Sequence, residues 1–87
     1  MAEEERSVPT VLRIGPYRVY FFSHEPNEPP HVHVDRDKAT AKIWLESLEL
    51  ARSRGFRRKE INAILNVVAE HRDPLLEAWH DHFGTSG

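Results

Sequence analysis

Eighty-seven residues, 39% of them hydrophobic and 30% charged, suffice for one small folded domain and exclude a second independent core or a large enclosed active site. A formal charge of −2 excludes a chain that is polybasic throughout, so any charge-driven function has to be local. The absence of cysteine removes disulfides, thiolate metal sites and thiol nucleophiles, and leaves six histidines and the carboxylates as the strong metal ligands.

Residues 1–7 form a charged leader whose acidic start is unlike the basic, then apolar, start of a signal peptide. No stretch approaches the roughly 20 apolar residues of a membrane span. A cytoplasmic protein without a membrane partner is therefore expected. The folded domain is expected over residues 8–83, with 84–87 as a short tail.

Between Thr10 and Leu45, β-branched and aromatic residues are punctuated by Gly15-Pro16 and by the run Glu25-Pro26-Asn27-Glu28-Pro29-Pro30. This predicts three to four short strands, at Thr10–Ile14, Tyr17–Ser23, His31–Asp35 and Ala39–Leu45. Arg36-Asp37 is expected to close a hairpin, with Asp35 opposite Lys38, His33 opposite Thr40 and His31 opposite Lys42. The segment from Glu46 to Phe56 is ambiguous and is read with a short helical turn around Leu48 to Ala51. From Arg57 the period becomes helical, with Ile61, Ile64, Leu65 and Val68 on one stripe. Asp73-Pro74 breaks that helix and starts a second, with Asp73 as N-cap and Pro74 first in the helix. Leu75, Leu76, Trp79 and Phe83 form its apolar face, and Gly84 its stop. The expected fold is α+β: a small antiparallel sheet of three to four strands with two C-terminal helices packed on one face.

Alternation places Val32 and Val34 on the core side, with Ala39, Ala41, Ile43 and Leu45. His31, His33 and Asp35 then share the opposite face with Lys38, Thr40, Lys42 and Trp44. Arg18, Tyr20, Phe22 and His24 form an alternating set that extends this surface. Two imidazoles at i and i+2 on a strand can reach one divalent ion such as zinc, given a further ligand from His24, Asp35, Glu28 or a helix histidine. They can also divide general acid and base roles in RNA cleavage, with Lys42 stabilising phosphorane charge and His71 assisting. A third reading leaves them as hydrogen-bonded residues bracing the proline-rich loop. His80 and His82, on a helix, point to nearly opposite sides and suit the helix C-terminal dipole. His71, at the corner between the helices, suits carbonyl capping.

The second concentration of charge is basic. Arg52, Arg54, Arg57, Arg58 and Lys59 place five of the twelve basic residues within eight positions. Next to a helix start they oppose the dipole unless an anion is near, so this stretch is a candidate contact for RNA, DNA or an acidic partner, or else a solvated loop.

Pro9-Thr10-Val11-Leu12, Asn27-Glu28-Pro29-Pro30-His31-Val32-His33-Val34, Leu48-Glu49-Leu50-Ala51 with Arg54-Gly55-Phe56, Glu70-His71-Arg72 and Leu75-Leu76-Glu77-Ala78-Trp79 together resemble a bacterial family, domain of unknown function 4160. The resemblance runs from about Val8 to Phe83. It implies paired histidines at His31 and His33 and a helix-end pair at His71 and Arg72. Family members commonly carry a serine or similar N-cap where this chain has Arg57. The family resembles one member of a toxin-antitoxin-like pair, often encoded beside a small protein numbered 2442, which implies a protein partner. The leading expectation is thus a small bacterial interaction module, with the His-x-His sheet face and the basic loop as binding surfaces. A histidine-dependent ribonuclease and a divalent-metal-binding protein are the alternatives, and self-association into a homo-oligomer is compatible with each.

Overall fold

The computed structural model describes residues 10–22 and 27–83. Five strands follow one another as an antiparallel meander in the order β1-β2-β3-β4-β5: β1 Thr10–Ile14, β2 Tyr17–Tyr20, β3 His31–Arg36, β4 Ala39–Trp44 and β5 Leu50–Arg54. Two helices complete the chain, α1 Arg58–Glu70 and α2 Arg72–Phe83. The α+β architecture is as expected, with five strands where three to four are predicted. Neither helix is long and apolar enough to cross a membrane. His24, in the 23–26 segment, Gly84, the charged leader and the tail lie outside the described residues.

Side-chain alternation along the strands accounts for the core. Val19, Val32, Val34 and Ile43 cover one sheet face and meet Ile64 and Val68 of α1 and Leu75 of α2, all essentially excluded from solvent. Burying an aliphatic side chain of this size is worth about 1.5–3 kcal/mol, so this layer holds the helices to the sheet. Arg36 strengthens the attachment by gripping Glu60 of α1 with Nε and Nη2, at 2.6 and 2.7 Å, while the Tyr17 hydroxyl donates to the same carboxylate at 2.9 Å. Arg72 at the start of α2 donates to the carbonyls of Leu45 and Glu46, which ties the second helix to the turn after β4.

Three expectations need correction. The β3–β4 hairpin turns at Asp37-Lys38, with Arg36 paired to Ala39, so His33 lies opposite Lys42 and His31 opposite Trp44. Asp37 takes φ 56°, a left-handed conformation that aspartate tolerates through local hydrogen bonding, so the turn forms without glycine. The slip is two residues, and a slip of two leaves every side chain on its predicted face. The helical turn expected at Leu48 to Ala51 is absent. The chain turns at residues 45–47, Leu48 has φ 61°, and β5 begins at Leu50. Finally, α2 starts at Arg72, so Asp73 and Pro74 sit inside its first turn and not at its cap. Arg57 occupies the N-cap of α1 and makes no side-chain cap hydrogen bond, as an arginine lacking an acceptor oxygen must.

Candidate functional site

The second sheet face carries two rows of side chains running across the strands. One row is Tyr20–His33–Lys42–Arg52, and its neighbour is Arg18–Asp35–Thr40–Arg54, each link an antiparallel Cα pair. Three strands of this surface follow from alternation alone. Its fourth strand is β5, and that strand joins two groups of candidate residues that look unrelated along the chain: the histidine face and the basic cluster.

Most of this face is packed. His31 is fully buried and His33, Lys42 and Tyr20 nearly so. The His31 ring lies 5.0 Å from Trp79 of α2, 5.6 Å from Trp44 and 5.2 Å from His33. Its Nδ1 is 2.9 Å from the Pro29 carbonyl, which can only accept, so Nδ1 carries the hydrogen and braces the proline-rich loop. The His33 ring stacks on Tyr20 at 5.4 Å with 22° between planes, and Phe22 meets it edge-on at 4.8 Å. The Tyr20 hydroxyl donates to Asp35 Oδ2 at 2.9 Å and Thr40 to Oδ1 at 2.7 Å. Burial, then the bond to Asp35 and that carboxylate's charge, push the Tyr20 phenol up to about 12. Lys42 Nζ meets Glu28 Oε1 at 2.6 Å and lies 4.8 Å above the Trp44 ring.

What stays open is the β4–β5 end of the face. A groove of about 370 Å³ is lined there by His33, Thr40, Ala41, Lys42, Arg52, Ser53 and Arg54. Its floor is the buried Lys42 and His33. Its outer wall is Arg52 and Arg54, both exposed and without a carboxylate partner among the described residues. Gly55 lets the chain leave this wall. At φ 92° it passes so close to β4 that a Cβ would come within 3.0 Å of Ala39 Cα and Cβ.

The other candidates lie elsewhere. Arg57, Arg58 and Lys59 are exposed around the N-terminus of α1, just past the Gly55-Phe56 corner, and do not line the groove. His71 belongs to the helix layer, where its Nδ1 caps the Val67 carbonyl at 3.0 Å. His80 and His82 are exposed in the last turn of α2, the His82 ring 5.4 Å from Phe21. Among the described residues no group of three His, Cys, Asp or Glu side chains is placed to hold a metal. Asp35 is engaged by Tyr20 and Thr40, and Glu28 by Lys42, so the His31–His33 pair gains no third ligand from them. A two-histidine acid–base pair requires both rings at the substrate, and of the two only His33 reaches the groove.

The strands and helices that build this face correspond to a known family. A model of the family described as Domain of unknown function (DUF4160) matches residues 17–80, from the start of β2 into α2. The chain belongs to the DUF4160 family. No curated protein and no solved structure matches it. The matched span of this DUF4160 chain includes every groove residue, His33 through Arg54, as well as the His71–Arg72 corner.

β5 is the element that sequence reasoning misses. All five of its residues are exposed, so Leu50 to Arg54 carry no apolar alternation to detect. The available signal is Gly55 next to an alternating Arg52-Ser53-Arg54, which fits an edge strand guarded by charge.

Proposed function

We propose that this DUF4160 chain is a small interaction module of the bacterial cytoplasm whose β4–β5 groove takes up an anionic partner. The observation that carries the reading is the convergence of Lys42, Arg52, Arg54 and His33 on one groove, in a chain whose overall charge is −2. Guanidinium groups bind oxyanions through paired N–H donors, and two of them on alternate residues of one strand face the same way. Binding, and not cleavage, is the role this donor set favours, because the single imidazole at the groove is accompanied by two guanidinium groups, which do not exchange protons near neutrality, and by a lysine already held by Glu28. The test is retention on a heparin column. The native chain is expected to be retained and to elute with salt, whereas R52E/R54E flows through with unchanged circular dichroism. Equal elution of both would remove the groove from the reading.

A second reading concerns a protein partner, the toxin-antitoxin-like pairing that the family resemblance implies. It is supported by β5 itself. No described strand pairs with its outer edge, and an unpaired edge accepts an added strand. Co-expression with the neighbouring-gene protein, followed by size-exclusion chromatography, tests it: one co-eluting complex supports the pairing and two separate peaks refute it.

A further inference from the structure

We infer that the anion taken up in the β4–β5 groove is the phosphodiester backbone of single-stranded nucleic acid, held through its phosphates and not through its bases. The inference rests on the anion-binding reading above and specifies its ligand.

Three observations carry it. The first separates a nucleic acid from an acidic polypeptide. Protein interfaces are centred on apolar and aromatic anchors and are depleted of charge at their core, whereas nucleic-acid interfaces are polar and positively charged. The groove is lined by three cations, Lys42, Arg52 and Arg54, with the His33 ring beside them. The exposed large hydrophobic residue among those described is Leu50, at the far end of β5 from Arg54. Within the groove the cations are spread over two strands, Lys42 on β4 and Arg52 and Arg54 on β5, as a polymeric anion requires and a single small anion does not.

The second observation concerns strandedness. Lys42 and His33 form a floor that is about nine-tenths buried, and Arg52 and Arg54 stand above it as an exposed wall. A thin, flexible strand can lower a phosphate between wall and floor. A duplex presents its phosphates on a broad rigid cylinder and can meet the wall alone. Arg52 and Arg54, two residues apart on one strand, are separated by about 6.7 Å along it, a span suited to neighbouring phosphates of an extended strand.

The third observation concerns the bases. Single-strand binders commonly stack bases on aromatic side chains. Here the rings beside the groove are already covered. Tyr20 is held between the Arg18 guanidinium at 4.7 Å and the His33 ring, and Trp44 has Lys42 Nζ over its face and His31 at its edge. With Tyr20 and Trp44 so engaged, recognition falls to the phosphates and is tolerant of sequence.

Fluorescence anisotropy with four probes tests this: single-stranded oligouridylate and oligoadenylate of about ten nucleotides, a duplex of the same length, and polyglutamate. The expected result is binding of both single strands within about threefold of each other, weaker binding of the duplex, and a log Kd–log salt slope of magnitude about 2–3. R52Q/R54Q, with unchanged circular dichroism, is expected to weaken binding about tenfold and to reduce that slope by about 1. Duplex binding equal to or tighter than single-strand binding overturns the inference, as does a strong preference for one base. Binding of polyglutamate without RNA overturns it while leaving the anion-binding reading intact. Binding of none of the probes ends both.

Discussion

Lys42 on β4 stands directly opposite Arg52 on β5, two cations paired across an antiparallel ladder. Like charges directly opposite each other destabilise a sheet unless an anion lies between or beside them. Glu28 supplies part of that compensation from the proline-rich loop, with its carboxylate 2.6 Å from Lys42 Nζ, and a bound anion would supply the rest.

This makes Glu28 an internal competitor for the groove. Glu28→Gln keeps the shape and removes the charge, and is expected to tighten polyanion binding by about two- to fivefold, the range of a partly exposed ion pair. Isothermal titration of the variant against the native chain measures it. Weaker binding by the variant would show instead that Glu28 positions Lys42 for the ligand.

The Arg36–Glu60 contact sets an acid limit on stability. Its guanidinium first, and the Tyr17 hydroxyl after it, hold the Glu60 carboxyl below its usual 4.5. A carboxylate lowered in the folded state stabilises the fold above its unfolded value and loses that contribution as pH falls through the folded one. Glu60→Gln should therefore lower the Tm at neutral pH, and the gap to the native protein should narrow as pH falls below 4.5 and through the lowered folded value. Thermal denaturation across that range decides the matter, and a gap that stays constant with pH would assign the effect to packing.

Both tyrosines should resist ionisation. Burial and then the bond to Asp35 raise Tyr20 to about 12, and burial with the bond to Glu60 raises Tyr17 from 10.0 as well. Because the folded state holds these protons more tightly, stability is intact below pH 10 and falls as pH rises from there toward 12. Absorbance at the tyrosinate band at pH 10 is expected to lie well below half its maximum in the folded chain and to reach half its maximum in urea. Half-ionisation at pH 10 without urea would contradict the buried hydrogen bonds.

Gly55 is expected to tolerate no side chain. At φ 92°, with Ala39 backbone and Cβ at 3.0 Å from a new Cβ, Gly55→Ala carries both a conformational and a steric cost. Together these should remove about 1–3 kcal/mol, a Tm decrease of roughly 5–20 °C for a domain of this size. A variant that melts with the native chain would mean that β5 leaves β4 when Gly55 changes.

The two sheet faces were readable because side-chain direction alternates with a period of two, a property of each strand alone. That is why a hairpin displaced by two residues still leaves His33, Asp35, Thr40 and Lys42 on one side, and why Ile64 and Val68 of the helical stripe meet the valines as expected. Two things were beyond the reach of such local patterns. Burial of His31 depends on Trp79, 48 positions later, and on Trp44, and no property of Pro-Pro-His-Val-His reports that approach.

The other is the groove. Segment 50–54 has no apolar face, so no hydrophobic period marks it as a strand. It becomes one because the turn after β4 returns the chain alongside that strand and Gly55 permits the close exit, with backbone hydrogen bonds fixing the pairing. Composition and periodicity were sufficient for the α+β class, the core and the side of the sheet that carries the histidines. The joining of that side to Arg52 and Arg54 arises from strand pairing, which acts between backbones and leaves little trace in side-chain pattern at an exposed edge.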